Sequence, residues 1–168
     1  MFQKNFDDYA HLFVEDVEHT IKQKYPAFKI SITKFDWSPR RTRSKGGRYS
    51  KGYGISIAMK RYLNWGKDTH RVYEYASYDS DPVIGGFYTS NPLDSLKMVI
   101  CHEMAHALQF YMFDCGYRVE EPHGVLFKTL YKDLRLEHVN LYLPNQWIAK
   151  KEYEVSIKNL KKELQGFL

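Results

Sequence analysis

Cysteine is scarce: the 168-residue chain carries two, Cys101 and Cys115. The first falls inside a predicted helix and the second at its end, about four turns downstream, beyond the reach of a mutual disulfide. A disulfide-built secreted scaffold is thereby excluded. The expectation is a reducing, intracellular setting, whether cytoplasm, nucleoid or nucleus. Long apolar runs are missing too. No stretch approaches the roughly 20 apolar residues that span a bilayer, so no membrane partner is expected. Met1–Tyr25 has acidic residues scattered through it, where a signal peptide needs an uninterrupted apolar centre. There are no repeats, no low-complexity tracts and no clear domain boundary. Acidic charge is in slight deficit, with 20 Asp+Glu against 25 Lys+Arg and a net charge of +5. An excess that small favours polyanionic partners only weakly, so its position matters more than its sum.

What is present describes one soluble α+β domain, with a core over about residues 5–138. Apolar residues make up 43% and charged residues 27%, as in ordinary globular chains. Phe6, Tyr9, Ala10, Phe13, Val14, Val17 and Ile21 recur at three- and four-residue steps, which predicts a helix over Asn5–Lys24. Tyr25-Pro26 ends it. Strict alternation then predicts a strand over Phe28–Thr33. Residues 39–54 read as a basic, glycine-rich link into a second strand, Ile55–Met59. Two more strands, Arg71–Tyr78 and Val83–Thr89, flank the turn residues Asp79–Pro82.

Asn91 as N-cap, Pro92 at the first helical position and Asp94 in the first turn open the next helix. It continues to about Asp114, with Gly116 as its stop. Further helices are expected over about His123–Glu137 and, as a C-terminal extension, over about residues 145–166.

The central helix carries His102-Glu103-Met104-Ala105-His106. Residues four apart share a helix face, so the two imidazoles can converge on one metal ion. Glu103, one step round, can reach an attacking water without being a ligand. The competing reading is an exposed helix with incidental histidines. The apolar flanks Val99, Ile100, Ala107 and Leu108 oppose it, because they predict burial and buried polar groups need partners. A third ligand is expected downstream. His123 is favoured, with Glu120 and Glu121 as alternatives. Three protein ligands leave a fourth position open, as a catalytic zinc site requires. His11, His19, His70 and His138 show no metal spacing.

His-Glu-Met-Ala-His-Ala-Leu-Gln at 102–109, followed by His-Gly-x-x-Phe-Lys at 123–128, resembles the SprT-like (Spartan-type) zinc metallopeptidases. The likeness is strongest over residues 94–135 and weaker toward Arg43–Arg48 and Ile55–Met59. It implies a single catalytic Zn2+ on His102, His106 and His123, with Glu103 as general base. It also implies a zincin-like fold, helices packed on a small, mainly antiparallel sheet. The activity it implies is cleavage of proteins, among them DNA-associated proteins and DNA–protein crosslinks. The four-cysteine zinc ribbon that many relatives use for nucleic acid is not in this sequence, and the tyrosine-rich stretch Trp65–Ser90 is longer than usual.

Six basic residues, Arg40, Arg41, Arg43, Lys45, Arg48 and Lys51, are interleaved with Gly, Ser and Tyr49. They suit phosphate contact with single-stranded or junction-like DNA, with Tyr49 or Tyr53 available for stacking. A merely solvated loop is the other reading. Two functions therefore stand: a zinc endopeptidase, or a zinc-containing module that binds nucleic acid or protein with little cleavage. The intact Glu103 favours the first.

Overall fold

The computed structural model describes residues 2–63, 65, 70–72, 87–118 and 121–139. The elements run α1 (Phe2–Lys24), β1 (Ile30–Asp36), β2 (Lys45–Tyr49), β3 (Gly52–Ala58), α2 (Lys60–Leu63), β4 (His70–Val72), β5 (Phe87–Thr89), α3 (Pro92–Asp114) and α4 (Val125–His138). The chain forms two compact units. One comprises Met1–Thr69 and Thr89–Asn140, the other His70–Tyr88 and Leu141–Leu168. In the second, β4 belongs to a two-stranded ladder with β5. The remainder of the two predicted strands around Asp79–Pro82, and the predicted C-terminal helix, lie outside the described residues.

The first unit is α+β, as expected, and its core is built from the predicted apolar faces. Phe6, Ala10, Phe13, Val14, Val17 and Ile21 of α1 are all buried, so the periodicity marks the face that packs. Tyr25 closes the last turn of α1 through its N–H to Ile21 O, and Phe28 N–H then bonds Tyr25 O. The Glu18 carboxylate accepts from Ile30 N–H at 3.1 Å, tying the start of β1 back to α1.

The sheet has the order β1-β3-β2, with β3 in the centre. It is mixed: β1 pairs with β3 in parallel, and β2 pairs with β3 antiparallel. The expectation of a mainly antiparallel sheet is corrected here. The chain leaves β1, crosses to the far edge as β2 and turns back through Ser50-Lys51 into β3. That route leaves the first and third strands parallel. The β1–β3 pairing runs out to Asp36 opposite Ala58, so β1 extends past the alternation that predicted it.

β2 lies inside the segment read as a link. Lys45-Gly46-Gly47-Arg48-Tyr49 is a poor strand former by propensity, yet it finds a ready partner in buried β3. Tertiary pairing decides the outcome.

Helix α3 is apolar on almost all sides. Leu96, Met98, Ile100, Cys101, Met104, Ala105, Ala107, Leu108 and Met112 are all buried, because the sheet, α1 and α4 each pack against it. Its start is as read: Asn91 Oδ1 accepts from Leu93 N–H at 3.0 Å, and Pro92 takes the first position. Its end is as read too. Tyr117 N–H returns to Met112 O, and Gly116 adopts φ 91°, which a residue with a side chain rarely tolerates. Cys101 is buried, with its thiol directed at Leu134 O, Cys115 is exposed, and the two do not form a disulfide. No helix among the described residues is long and apolar enough to cross a membrane.

Candidate metal centre

His102 and His106 lie one turn apart on α3, as the motif spacing demands. His123 comes from the turn before α4, where Gly124 N–H bonds Glu121 O, so α4 begins at Val125 and not at His123. The turn places the third imidazole beside the first two. His123 Nε2 lies 3.1 Å from His106 Nε2 and 3.3 Å from His102 Nε2. One ligand atom from each of the three lies within 4.8 Å of the others. Glu121 contributes no carboxylate to this cluster, and Glu120 lies outside the described residues.

The donor set fits a metal ion. A four-coordinate ion with bonds of about 2.0–2.1 Å to nitrogen separates its ligand atoms by roughly 3.3–3.4 Å, close to the two separations observed. Two of the imidazoles, His106 and His123, are also disposed to be neutral. Burial pushes the His106 pKa down to about 4, helped by neighbouring His123 and opposed by a hydrogen bond to Gln109. Burial, with Lys128 nearby, lowers that of His123. Neutral rings keep a lone pair for a metal.

Two outer contacts fix the rings. Gln109 Nε2 donates to Glu121 O at 2.9 Å, which leaves Gln109 Oε1 to accept, at 3.5 Å, from His106 Nδ1. That contact selects the tautomer whose Nε2 lone pair faces the cluster. Phe127 of α4, wholly buried, stacks on His106 with centroids 4.3 Å apart. Its edge contacts with His102 and His123 are at 4.9 and 4.8 Å. Neither Gln109 nor Phe127 was singled out as functional from sequence, although both sit inside the stretches that carried the resemblance.

Glu103 is 7% exposed and stands outside the imidazole cluster. Burial raises its pKa to about 7, while the Gly46 N–H that bonds its carboxylate and the nearby Arg41 guanidinium pull the other way. The contact with β2 is close. A Cβ on Gly46 would lie 1.9 Å from the Glu103 carbonyl oxygen, so only glycine lets the strand approach the helix here. The chemistry available is therefore three imidazoles converging on one point, two of them held toward the neutral form by burial, beside a buried carboxylate of near-neutral pKa.

The six basic residues separate by environment. Arg40, Arg43, Lys45 and Lys51 are exposed. Arg48 is also exposed but is paired with Asp114. Arg41 is half-buried, with Nη2 3.4 Å from Ser56 Oγ and its charge acting on Glu103. Tyr49 donates to Lys45 O, and Tyr53 donates to the Asp114 carboxylate.

The SprT-like family model matches residues 85–152 of the chain, a segment that includes α3, α4 and all three histidines. No curated protein and no solved structure matches the chain.

Proposed function

We propose that this chain, SprT-like over residues 85–152, is a zinc-dependent endopeptidase that cleaves proteins held on DNA. The observation that carries the reading is the convergence of His102, His106 and His123 beside a buried carboxylate that is not one of the cluster. A purely structural site has no use for that carboxylate. Three imidazoles suit zinc among several divalent metals, and three protein ligands leave a position open. Bound there, zinc would supply Lewis acidity toward a water and a peptide carbonyl.

The rest of the chemistry falls to the chain. Glu103 takes a proton from the attacking water and returns it to the departing amine. The Gly46 N–H holds the carboxylate in place for both transfers. Gln109 and Phe127 keep His106 oriented. The exposed Arg40, Arg43, Lys45 and Lys51 supply a phosphate-binding edge, which makes DNA-bound proteins the favoured substrate class.

Those basic residues also favour the second reading, a zinc-containing domain that binds nucleic acid or protein with little cleavage. Incubation with a DNA-binding protein, with and without single-stranded DNA, separates the two. Fragments that depend on DNA and vanish in Glu103→Gln are the expected result. DNA-independent fragments would keep the peptidase and remove the DNA link. Zinc uptake with no cleavage under either condition would leave the binding module.

A further inference from the structure

The outer face of α3 does not stop at the histidines. Positions 102, 106, 110 and 113 are spaced by four, four and three residues, so they lie along one face of the helix. The last two are Phe110 and Phe113, which are 42% and 52% exposed, whereas the other apolar residues along most of α3 are buried. Single exposed aromatics are ordinary. Two in succession on the face of a candidate metal centre, with a common wall, are a different matter.

That wall is β2. Gly46 is pressed against Glu103, and Gly47 lies flat against Phe110, where a Cβ would come within 3.0 Å of the ring. Arg48 follows, with its guanidinium carbon 5.9 Å from the Phe113 centroid. One short strand thus runs alongside both the carboxylate and the aromatic pair. The strip is close to neutral, because Arg48 is paired with Asp114, which also accepts from Tyr53. A phosphate backbone gains little from a cation already paired. An apolar side chain gains from the two rings and is not penalised by an unpaired charge.

We infer that Phe110 and Phe113, with Arg48 beside them, form a docking strip for large apolar side chains of an extended polypeptide running through the Glu103 site. The inference rests on the endopeptidase reading and adds a specificity to it. The strip selects substrates with a Leu, Phe or similar residue several positions to one side of the bond cleaved. It is selective for unfolded or locally opened chains, since folded proteins keep such residues inside.

Binding tests the strip separately from cleavage. Two fluorescent decapeptides, identical except for three Leu in one and three Ser in the other, are titrated by anisotropy into Glu103→Gln protein. The expected preference for the leucine peptide is about ten-fold or more. Adding Phe110→Ala or Phe113→Ala should reduce it to within about three-fold. The more exposed Phe113 serves as the variant least able to disturb folding. Equal binding of the two peptides, or an unchanged preference in both variants, would overturn the inference. So would oligo(dT) binding that depends on the same two rings, which would make the strip a nucleic-acid platform. A leucine preference that vanishes with the rings, in a protein whose wild type cleaves nothing, would sustain the strip while removing the peptidase.

Discussion

Glu103 is held in place at a cost to stability, and the cost can be measured. Its pKa rises from 4.5 to about 7 on burial in the metal-free protein. The unfolded chain keeps the ordinary value, so the folded state binds the proton more tightly between those limits. Stability from this group is complete below about pH 4.5 and is lost as pH rises through about 7. The full loss corresponds to on the order of 3 kcal/mol at pH 8. Gln in place of Glu keeps an oxygen for the Gly46 N–H and carries no charge. Glu103→Gln should therefore be more stable than wild type at pH 8, by about 1–3 kcal/mol, or roughly 3–10 °C in Tm.

The gap should close on acidification, because a protonated Glu and a Gln are near equivalents. His106 acts with the opposite sign. Its folded pKa of about 4 lies below the unfolded 6.5, so it adds stability as pH climbs through that window. The variant, freed of the Glu103 slope, should gain stability from pH 4 to 6.5 and then level off. Urea unfolding in a chelator at pH 5, 6.5 and 8 makes the comparison. Equal stabilities at pH 8, or a gap that widens toward pH 5, would refute the reasoning.

Other expectations follow from single contacts. Gly46→Ala sets a methyl 1.9 Å from the Glu103 carbonyl oxygen, so it should cost about 3 kcal/mol or more, read as a lowered urea midpoint. Gln109→Ala removes the acceptor at His106 Nδ1 and should weaken zinc binding about 10–100-fold in a competition titration with a chromophoric chelator. If DNA is bound through the exposed Arg40, Arg43, Lys45 and Lys51, neutralising two of them should reduce the salt slope for single strands by about 1.4. Neutralising Arg41, turned toward Ser56, should leave that slope alone.

Much of the candidate centre was legible because helices encode it locally. The cap at Asn91, the proline after it, the stop at Gly116 and the i, i+4 histidines all act within a few residues of chain. The third histidine was legible as a favoured choice among three, since the turn that delivers it depends on how α4 packs. Phe127 shows why: it contacts His123 four residues before it, but reaches His102 and His106 only by crossing from α4 to α3. β2 was not legible at all. Its glycines and cations read as a loop, and only the approach to Glu103 and the pairing with β3 reveal what they are for. The parallel β1–β3 pairing was hidden for the same reason, since strand direction depends on where the link travels. Arg41 looked like its five basic neighbours, and its inward turn comes from tertiary contacts with Ser56 and the Glu103 region.

The most direct test is metal content. Protein loaded with zinc and desalted should hold one zinc per chain by inductively coupled plasma mass spectrometry. His102→Ala, His106→Ala and His123→Ala should each hold far less, while far-UV circular dichroism stays that of the wild type. That pattern places a single ion on the three imidazoles of a scaffold that folds without it. Full zinc occupancy in His123→Ala, or no zinc in the wild type, would contradict the account.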